Sequence, residues 1–305
     1  MLPRTQQDRP QSPAHKLGRV RRVWRFGGLI FVVMVAASAW SLWACSVGPK
    51  ATAAELAIVE RGSVETTLDD GTAVTLAYRR AGPPDARRLI FIHGTPGDSS
   101  AWADELVDPL PGFEVIAVDR LGFGSSKPAR VFTSYHDQAA AIAPLLVTRD
   151  GQAPIIVGHS LGGPIAATLC AEHPDRVGAL LILAGSFDPA LEEPHWYNHA
   201  ASWGIFSWML PDVMLKSNKE MFAGRDETTL LVPKLASITC PVIILQGDKD
   251  TLVPPSNAVF AKDHLAASRS VEVEIVAKEG HFLPWKQRQR MRALIIILEN
   301  KAGPR

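Results

Sequence analysis

Cysteine is scarce in this 305-residue chain, which holds only Cys45, Cys170 and Cys240. Three thiols cannot staple a domain of this size, so a disulfide framework is not indicated. Cys170 in "IAATLCA" and Cys240 in "ASITCPVIIL" have apolar neighbours and read as buried small hydrophobes. Metal-site patterns are missing too: there is no HExxH and no paired CxxC, so no metal is implied. A phosphate-binding loop is also absent. "GFGSSK" after an apolar run looks superficially like a dinucleotide loop. It lacks the third glycine, and Lys127-Pro128 interrupts any helix that would follow. Neither nucleotide nor cofactor is expected.

Basic charge is lacking where nucleic acid would need it. Seven of the 32 Lys and Arg (Arg4, Arg9, Lys16, Arg19, Arg21, Arg22 and Arg25) precede residue 47, against Asp8 alone among the 31 acidic residues. The rest therefore holds 25 basic and 30 acidic residues, a balance unsuited to binding phosphates. The basic stretch runs into an apolar one, Gly27 to Ala44, eighteen residues without a charge. That is near the lower limit for crossing a bilayer core, and the arginines would hold the N-terminus in the cytoplasm. Three outcomes compete. The segment stays as a signal anchor, which is the leading reading; or it is cut after Ala39; or Cys45 is lipidated, with bulky Trp43 counting against it. Each exports the rest of the chain, and the anchor makes the membrane a partner.

The 47% apolar content supplies ample core. The chain divides into a basic segment (1–25), a signal segment (26–46), an Ala-rich linker (47–54) and one α/β domain (55–300). Strand-like runs are "LAIVE" (56–60), "AVTLAYR" (73–79), "RLIFIH" (88–93), "FEVIAVD" (113–119), "PIIVGH" (154–159), "ALLILAG" (179–185), "PVIILQG" (241–247) and "VEVEIVA" (271–277). Asp69-Asp70-Gly71 between the first two signals a hairpin. Later runs are near-continuous in Val, Ile and Leu, which suits strands buried on both faces and a parallel sheet centre. The expected architecture is a mostly parallel eight-stranded sheet flanked by helices. About fifty residues, 187–238, lack a strand pattern and are rich in aromatics and Met, which reads as a small helical lid. Trp196, Trp203 and Trp208 there are candidate substrate contacts; the alternative is that they seal the lid onto the core.

The candidate chemistry centres on "VGHSLGGP" (157–164). Strand "PIIVGH", Ser160 and helix "LGGPIAATLCAEH" form the strand–turn–helix of a nucleophile elbow, with Gly158 and Gly162 permitting a sharp turn. A serine hydroxyl is a weak nucleophile and needs a base oriented by an acid. Asp250 in "LQGDKDTLVPP" and His281 in "KEGHFLPW" follow the seventh and eighth strands, at strand ends where an open α/β sheet collects its site. Asp248 is the main rival to Asp250, and Asp188 a distant one. His93 and His159 flank the chemistry and read as packing or hydrogen-bonding residues. The backbone N–H groups of Thr95 and Leu161 would form an oxyanion hole.

In their order, "HGTPG" (93–97), "DRLGFGSS" (119–126), "GHSLG" (158–162), "GDKD" (247–250) and "GH" (280–281) resemble the motifs of the α/β-hydrolase superfamily, over roughly residues 55–300. The resemblance implies a serine hydrolase of the esterase type acting on a small apolar acyl compound: Ser160 attacks, His281 moves the proton and Asp250 holds the imidazole. It also implies a structural role for Asp119. Serine at position 160 departs from the epoxide hydrolases and haloalkane dehalogenases, which carry Asp there. Thr95 departs from the His-Gly-Gly-Pro-Gly of proline iminopeptidases. Carbon–carbon bond hydrolases, cofactor-free haloperoxidases and a non-catalytic binding member of the fold stay open.

Overall fold

The apolar runs become strands because each is short and rich in β-branched residues. The computed structural model describes residues 48–303, so the proposed signal anchor lies outside the described residues. The strands are β1 (Glu60–Thr67), β2 (Ala73–Ala81), β3 (Arg87–Ile92), β4 (Phe113–Val118), β5 (Ile155–His159), β6 (Ala179–Leu183), β7 (Val242–Gly247) and β8 (Val271–Val276). They form one eight-stranded sheet in the order β1-β2-β4-β3-β5-β6-β7-β8. The β1–β2 and β2–β4 pairs are antiparallel, and every other pair is parallel. Asp70 closes the β1–β2 hairpin, its Oδ1 accepting the Thr72 N–H at 2.8 Å, with Gly71 at φ +83°.

Side-chain alternation along the central strands divides the interior in two. Ile90, Ile92, Ile156 and Ile182 join a core on one face of the sheet. Leu89, Phe91, Val157 and Leu181 join a second core on the other. The helices that cover these faces are α1 (Ala53–Ala57), α2 (Ala103–Val107), α3 (Tyr135–Ile142), α4 (Gly162–Glu172), α5 (Trp196–Ser202), α6 (Gly204–Ser207), α7 (Asp212–Leu231), α8 (Ser256–His264), α9 (Leu283–Lys286) and α10 (Arg288–Ala302). Cys170 of α4 and Cys240 ahead of β7 are buried in the first core, as their apolar neighbours suggest.

Two expectations about the start of the domain need correction. "LAIVE" is not a strand. Residues 53–57 form α1, whose Thr52 hydroxyl accepts the Glu55 N–H while Glu55 accepts from the Thr52 N–H, a reciprocal cap that fixes a helical turn. The first strand begins at Glu60 instead. Nor is 47–54 a free linker. The Lys50 and Ala51 N–H groups both donate to Asp104 Oδ1, at 2.8 and 2.6 Å, tying the segment to α2. The folded unit therefore begins at Pro49.

The insertion after β6 is helical, as its composition suggests, and comprises α5, α6, α7 and a 3-10 turn at Val232–Ser237. Amide contacts join its helices: Asn198 Nδ2 donates to Asn218 Oδ1 at 2.8 Å, and Asn218 Nδ2 donates to the Asn198 carbonyl and to Ser202 Oγ, both at 3.0 Å. Among the described residues no helix is long and apolar enough to cross a membrane.

Candidate active site

Ser160 lies at the C-terminal end of β5, one residue before the cap of α4. Its φ is +54°, a left-handed conformation that costs a non-glycine residue about 1–3 kcal/mol and persists only where the surroundings enforce it. Here the Ser160 N–H donates to the Leu183 carbonyl at 3.0 Å, and the Ser160 carbonyl accepts the Gly163 N–H at 2.8 Å. Both flanking glycines are required by close approach. A Cβ on Gly162 would strike the Ile92 and His93 carbonyls, and one on Gly158 would strike the Gly162 carbonyl. The sharp turn expected at this position is present.

The loop after β3 faces that turn. A Cβ on Gly94 would stand 2.8 Å from Ser160 Cβ and 3.4 Å from its Oγ. Its neighbour His93 is buried, with Nδ1–H donating to the Gly94 carbonyl at 2.7 Å and Nε2 accepting the Arg120 N–H at 3.1 Å. The Arg120 guanidinium holds the same loop, donating through Nε to the His93 carbonyl and through Nη2 to the Gly94 carbonyl, each at 3.0 Å. The Gly94–Thr95 peptide is not cis, so its C=O and N–H point in opposite directions across one plane. Two donors on the carbonyl thus fix where the Thr95 N–H is aimed. Neither that N–H nor Leu161's meets an acceptor among the described residues, and Thr95 Oγ1 is buried without a partner.

Asp250 and His281 come together from the loops after β7 and β8. Asp250 Oδ2 accepts the His281 Nδ1–H at 2.8 Å and the Gln246 Nε2–H at 3.1 Å, while Oδ1 accepts the Val253 and Leu252 N–H groups at 2.8 and 2.9 Å. Burial alone would raise this carboxyl. The hydrogen bond and charge of His281, with the two backbone donors, hold it below the ordinary carboxylate value. A carboxylate only accepts, so the His281 proton is on Nδ1 and Nε2 is the basic nitrogen. The His281 carbonyl accepts the His159 Nε2–H at 3.0 Å, and the two rings stand 4.9 Å apart between centroids. The base loop is thereby fastened to the residue preceding Ser160.

The rival carboxylates are occupied elsewhere. Asp248 Oδ1 accepts the Lys278 N–H at 2.7 Å, and Asp188 Oδ1 accepts the Ala190 N–H at 2.9 Å. Asp119 has the structural role the resemblance implies, its two oxygens taking the Ser99 and Ser125 N–H groups at 2.8 Å. Trp196, Trp203 and Trp208 are 80%, 64% and 84% exposed, so they neither seal the lid nor wall an enclosed pocket. A cleft of about 330 Å³ beside the Gly94 loop is lined instead by Pro96, Gly97, Asp98, Val213 of α7 and Trp285.

Two residues went unremarked in the sequence. Gln246 is a fully buried amide within the apolar run "PVIILQG", a signal that it serves a buried polar partner. Arg120 is fully buried, and its Nη1 and Nη2 donate to Glu220 of α7 at 2.6 and 3.1 Å. No local pattern connects two residues a hundred positions apart.

Comparison with known proteins bears on the fold and the family. The family described as alpha/beta hydrolase fold matches residues 87–213. A 2-hydroxy-6-oxononadienedioate/2-hydroxy-6-oxononatrienedioate hydrolase of Paraburkholderia xenovorans (strain LB400) is 26% identical over 73% of this chain and 90% of its own length. A pimeloyl-[acyl-carrier protein] methyl ester esterase of Neisseria meningitidis serogroup B / serotype 15 (strain H44/76) is 28% identical over 65% of this chain and 88% of its own. Among solved structures, a Burkholderia cenocepacia protein provisionally assigned as an aryl esterase superposes with a TM-score of 0.62 at 24% identity, covering 79% of this chain and 99% of that one. The chain belongs to the α/β-hydrolase superfamily. This hydrolase shares with that structure its fold, and with the two relatives most of its folded length.

The hydrolase holds two neutral histidines against acid. Burial, with His281 beside it, lowers His159 to about 3, and burial with the Arg120 charge lowers His93 well below the ordinary imidazole value. Unfolding frees both to take protons, so their contribution is complete above about pH 6.5 and is lost as pH falls, at about 1.4 kcal/mol per unit for each. Urea midpoints should drop steadily from about pH 6.5 towards pH 4. His159→Gln should flatten that decline; an unchanged slope would show that His159 is protonated in the folded state.

The buried ion pair gives a second expectation. Glu220→Leu leaves the Arg120 charge uncompensated and should cost about 3–5 kcal/mol in urea unfolding. Adding Arg120→Met should recover part of the loss. A cost below about 1 kcal/mol for Glu220→Leu would mean that the pair is solvated in solution.

Proposed function

We propose that this hydrolase is a serine esterase that cleaves a small, apolar carboxylic ester through an acyl-enzyme. The observation that carries the reading is Ser160 held at φ +54° against Gly94, with the buried Asp250–His281 pair fastened to its neighbour His159. In this reading His281 Nε2 takes the hydroxyl proton as Ser160 attacks the carbonyl carbon. The Thr95 and Leu161 N–H groups receive the oxyanion, aimed before substrate arrives and so needing no reorganisation. His281 then protonates the leaving alcohol, and water activated by the same nitrogen releases the acid. Asp250 stays ionised throughout and stabilises the imidazolium.

Carbon–carbon bond hydrolysis is the second reading, favoured by the name of the Paraburkholderia relative. That name describes a dicarboxylate substrate, which calls for free cations in the site. Here the buried cation beside the Gly94 loop, Arg120, is already neutralised by Glu220. A neutral ester fits these surroundings better. Ser160→Ala should lower ester hydrolysis by about a thousandfold or more and abolish labelling by a fluorophosphonate, with the fold unchanged. Asp250→Asn should cost several orders of magnitude, and Asp248→Asn far less. An active Ser160→Ala protein, or Asp248→Asn as the more damaging change, would refute these assignments. Turnover of a vinylogous diketone acid with no activity on esters would select the second reading.

We also infer that residues 27–44 anchor the enzyme with its folded unit outside the cytoplasm, on the strength of the arginines before an uncharged run. Intact mass of membrane-extracted protein should equal the full chain. A start at Cys45 with added acyl mass would mean lipidation, a start at Trp40 ordinary cleavage, and full-length protein in the cytosol no export.

A further inference from the structure

The lid buries polar groups where a surface helix normally buries apolar ones. Here α5 buries Asn198, and α7 buries Ser217, Asn218, Glu220 and Thr228 beside Leu231. The exposed side of α7 carries Lys219, Arg225 and Asp226, whereas the stretch before it exposes large apolar side chains. Six large apolar residues of the described chain are more than 60% exposed, and Trp196, Trp203, Trp208 and Met209 are four of them, within fourteen consecutive positions. Three tryptophans exposed to this degree present on the order of 500 Å² of ring surface, above what a soluble monomer ordinarily leaves open without a use for it. The surrounding stretch, Pro194 to Pro211, is eighteen residues without a formal charge.

We propose that this stretch of the lid seats the enzyme on the surface of a phospholipid bilayer, so that the substrate class is an ester dissolved in the membrane. The inference rests on the esterase and anchor readings above and adds to them a second membrane contact and a substrate source.

The chemistry of the face selects the lipid. Tryptophan favours the headgroup boundary, where its ring is apolar and its N–H stays hydrated. An uncharged stretch enters that boundary without desolvating an ion, and the nearest charges on α7, Asp212 and Lys216, pair with each other at 2.6 Å. Seating should therefore need no anionic lipid and should resist salt.

The test uses the full-length protein in phosphatidylcholine vesicles, compared with W196S/W203S/W208S and with Trp208→Ser alone. Brominated phosphatidylcholine should quench the wild type more strongly than the triple variant, equally at low and at molar salt. Hydrolysis of a long-chain ester dissolved in the bilayer should fall about tenfold or more in the triple variant, and about twofold for Trp208→Ser, while a water-soluble short ester is turned over within about twofold of wild type. Equal quenching together with an unchanged ratio of the two rates would overturn the proposal, as would quenching lost in salt. A wild-type dimer in detergent that the triple variant fails to form would assign the face to a second copy and overturn it equally. If the wild type hydrolyses neither ester, the esterase reading fails, and quenching still decides the lid.

Discussion

A buried guanidinium has to find acceptors, and Arg120 finds them on two separate parts of the fold. Its charge, taken out of water, is answered by Glu220 of the lid, and its remaining N–H groups by the His93 and Gly94 carbonyls of the core. Desolvation makes each of these contacts obligatory, because removing one leaves a charge or a carbonyl buried without a partner. Lid and core therefore share one electrostatic centre. It lies one peptide away from the Thr95 N–H, so the same residue that fastens α7 to the sheet also sets the aim of a candidate oxyanion donor.

The local strain at Ser160 is affordable for a related reason. A left-handed serine costs little against two cores that bury every side chain of β4 to β7. What the core cannot supply is room, and glycine provides it: Gly158 and Gly162 let strand, turn and helix approach within carbonyl contact, and Gly94 lets the facing loop do the same. Backbone carbonyls meet Gly158 and Gly162, and the Ser160 Cβ itself meets Gly94, so the turn has little freedom to relax.

Much of this was legible in the sequence where a local rule applied. Seven of the eight strands fall where apolar, β-branched runs mark them, and β3 to β7 are the clearest because runs buried on both faces have no other use at that length. The elbow was legible because its turn demands small residues at fixed offsets, and Asp250 and His281 because strand ends collect site residues. "LAIVE" misled because composition favours a strand there, while the Thr52–Glu55 cap, a polar and directional signal, decides for a helix. The lid tryptophans misled in another way. Aromatic content indicates that large apolar surfaces exist, but not which side of a helix they occupy, and the buried asparagines that join α5 to α7 act through each other across twenty residues. The Arg120–Glu220 pair is invisible for the same reason at greater range.

The charges around the candidate site complete the physical argument. Asp250 is held ionised by four donors, Arg120 is matched by Glu220, and His93 and His159 are kept neutral by burial. Each of these charged or titratable groups thus has its environment set before any substrate is present. Left uncommitted among the described residues are a pair of backbone N–H groups, the Thr95 hydroxyl and the basic nitrogen of His281. Dipoles without a resident counter-charge favour an anion that appears only during reaction over one that arrives with the substrate, since a bound anion would find them too weak to replace its hydration. On the esterase reading proposed above, such an arrangement offers a charged substrate no ion to meet and directs the two N–H groups at the tetrahedral oxyanion of a neutral ester.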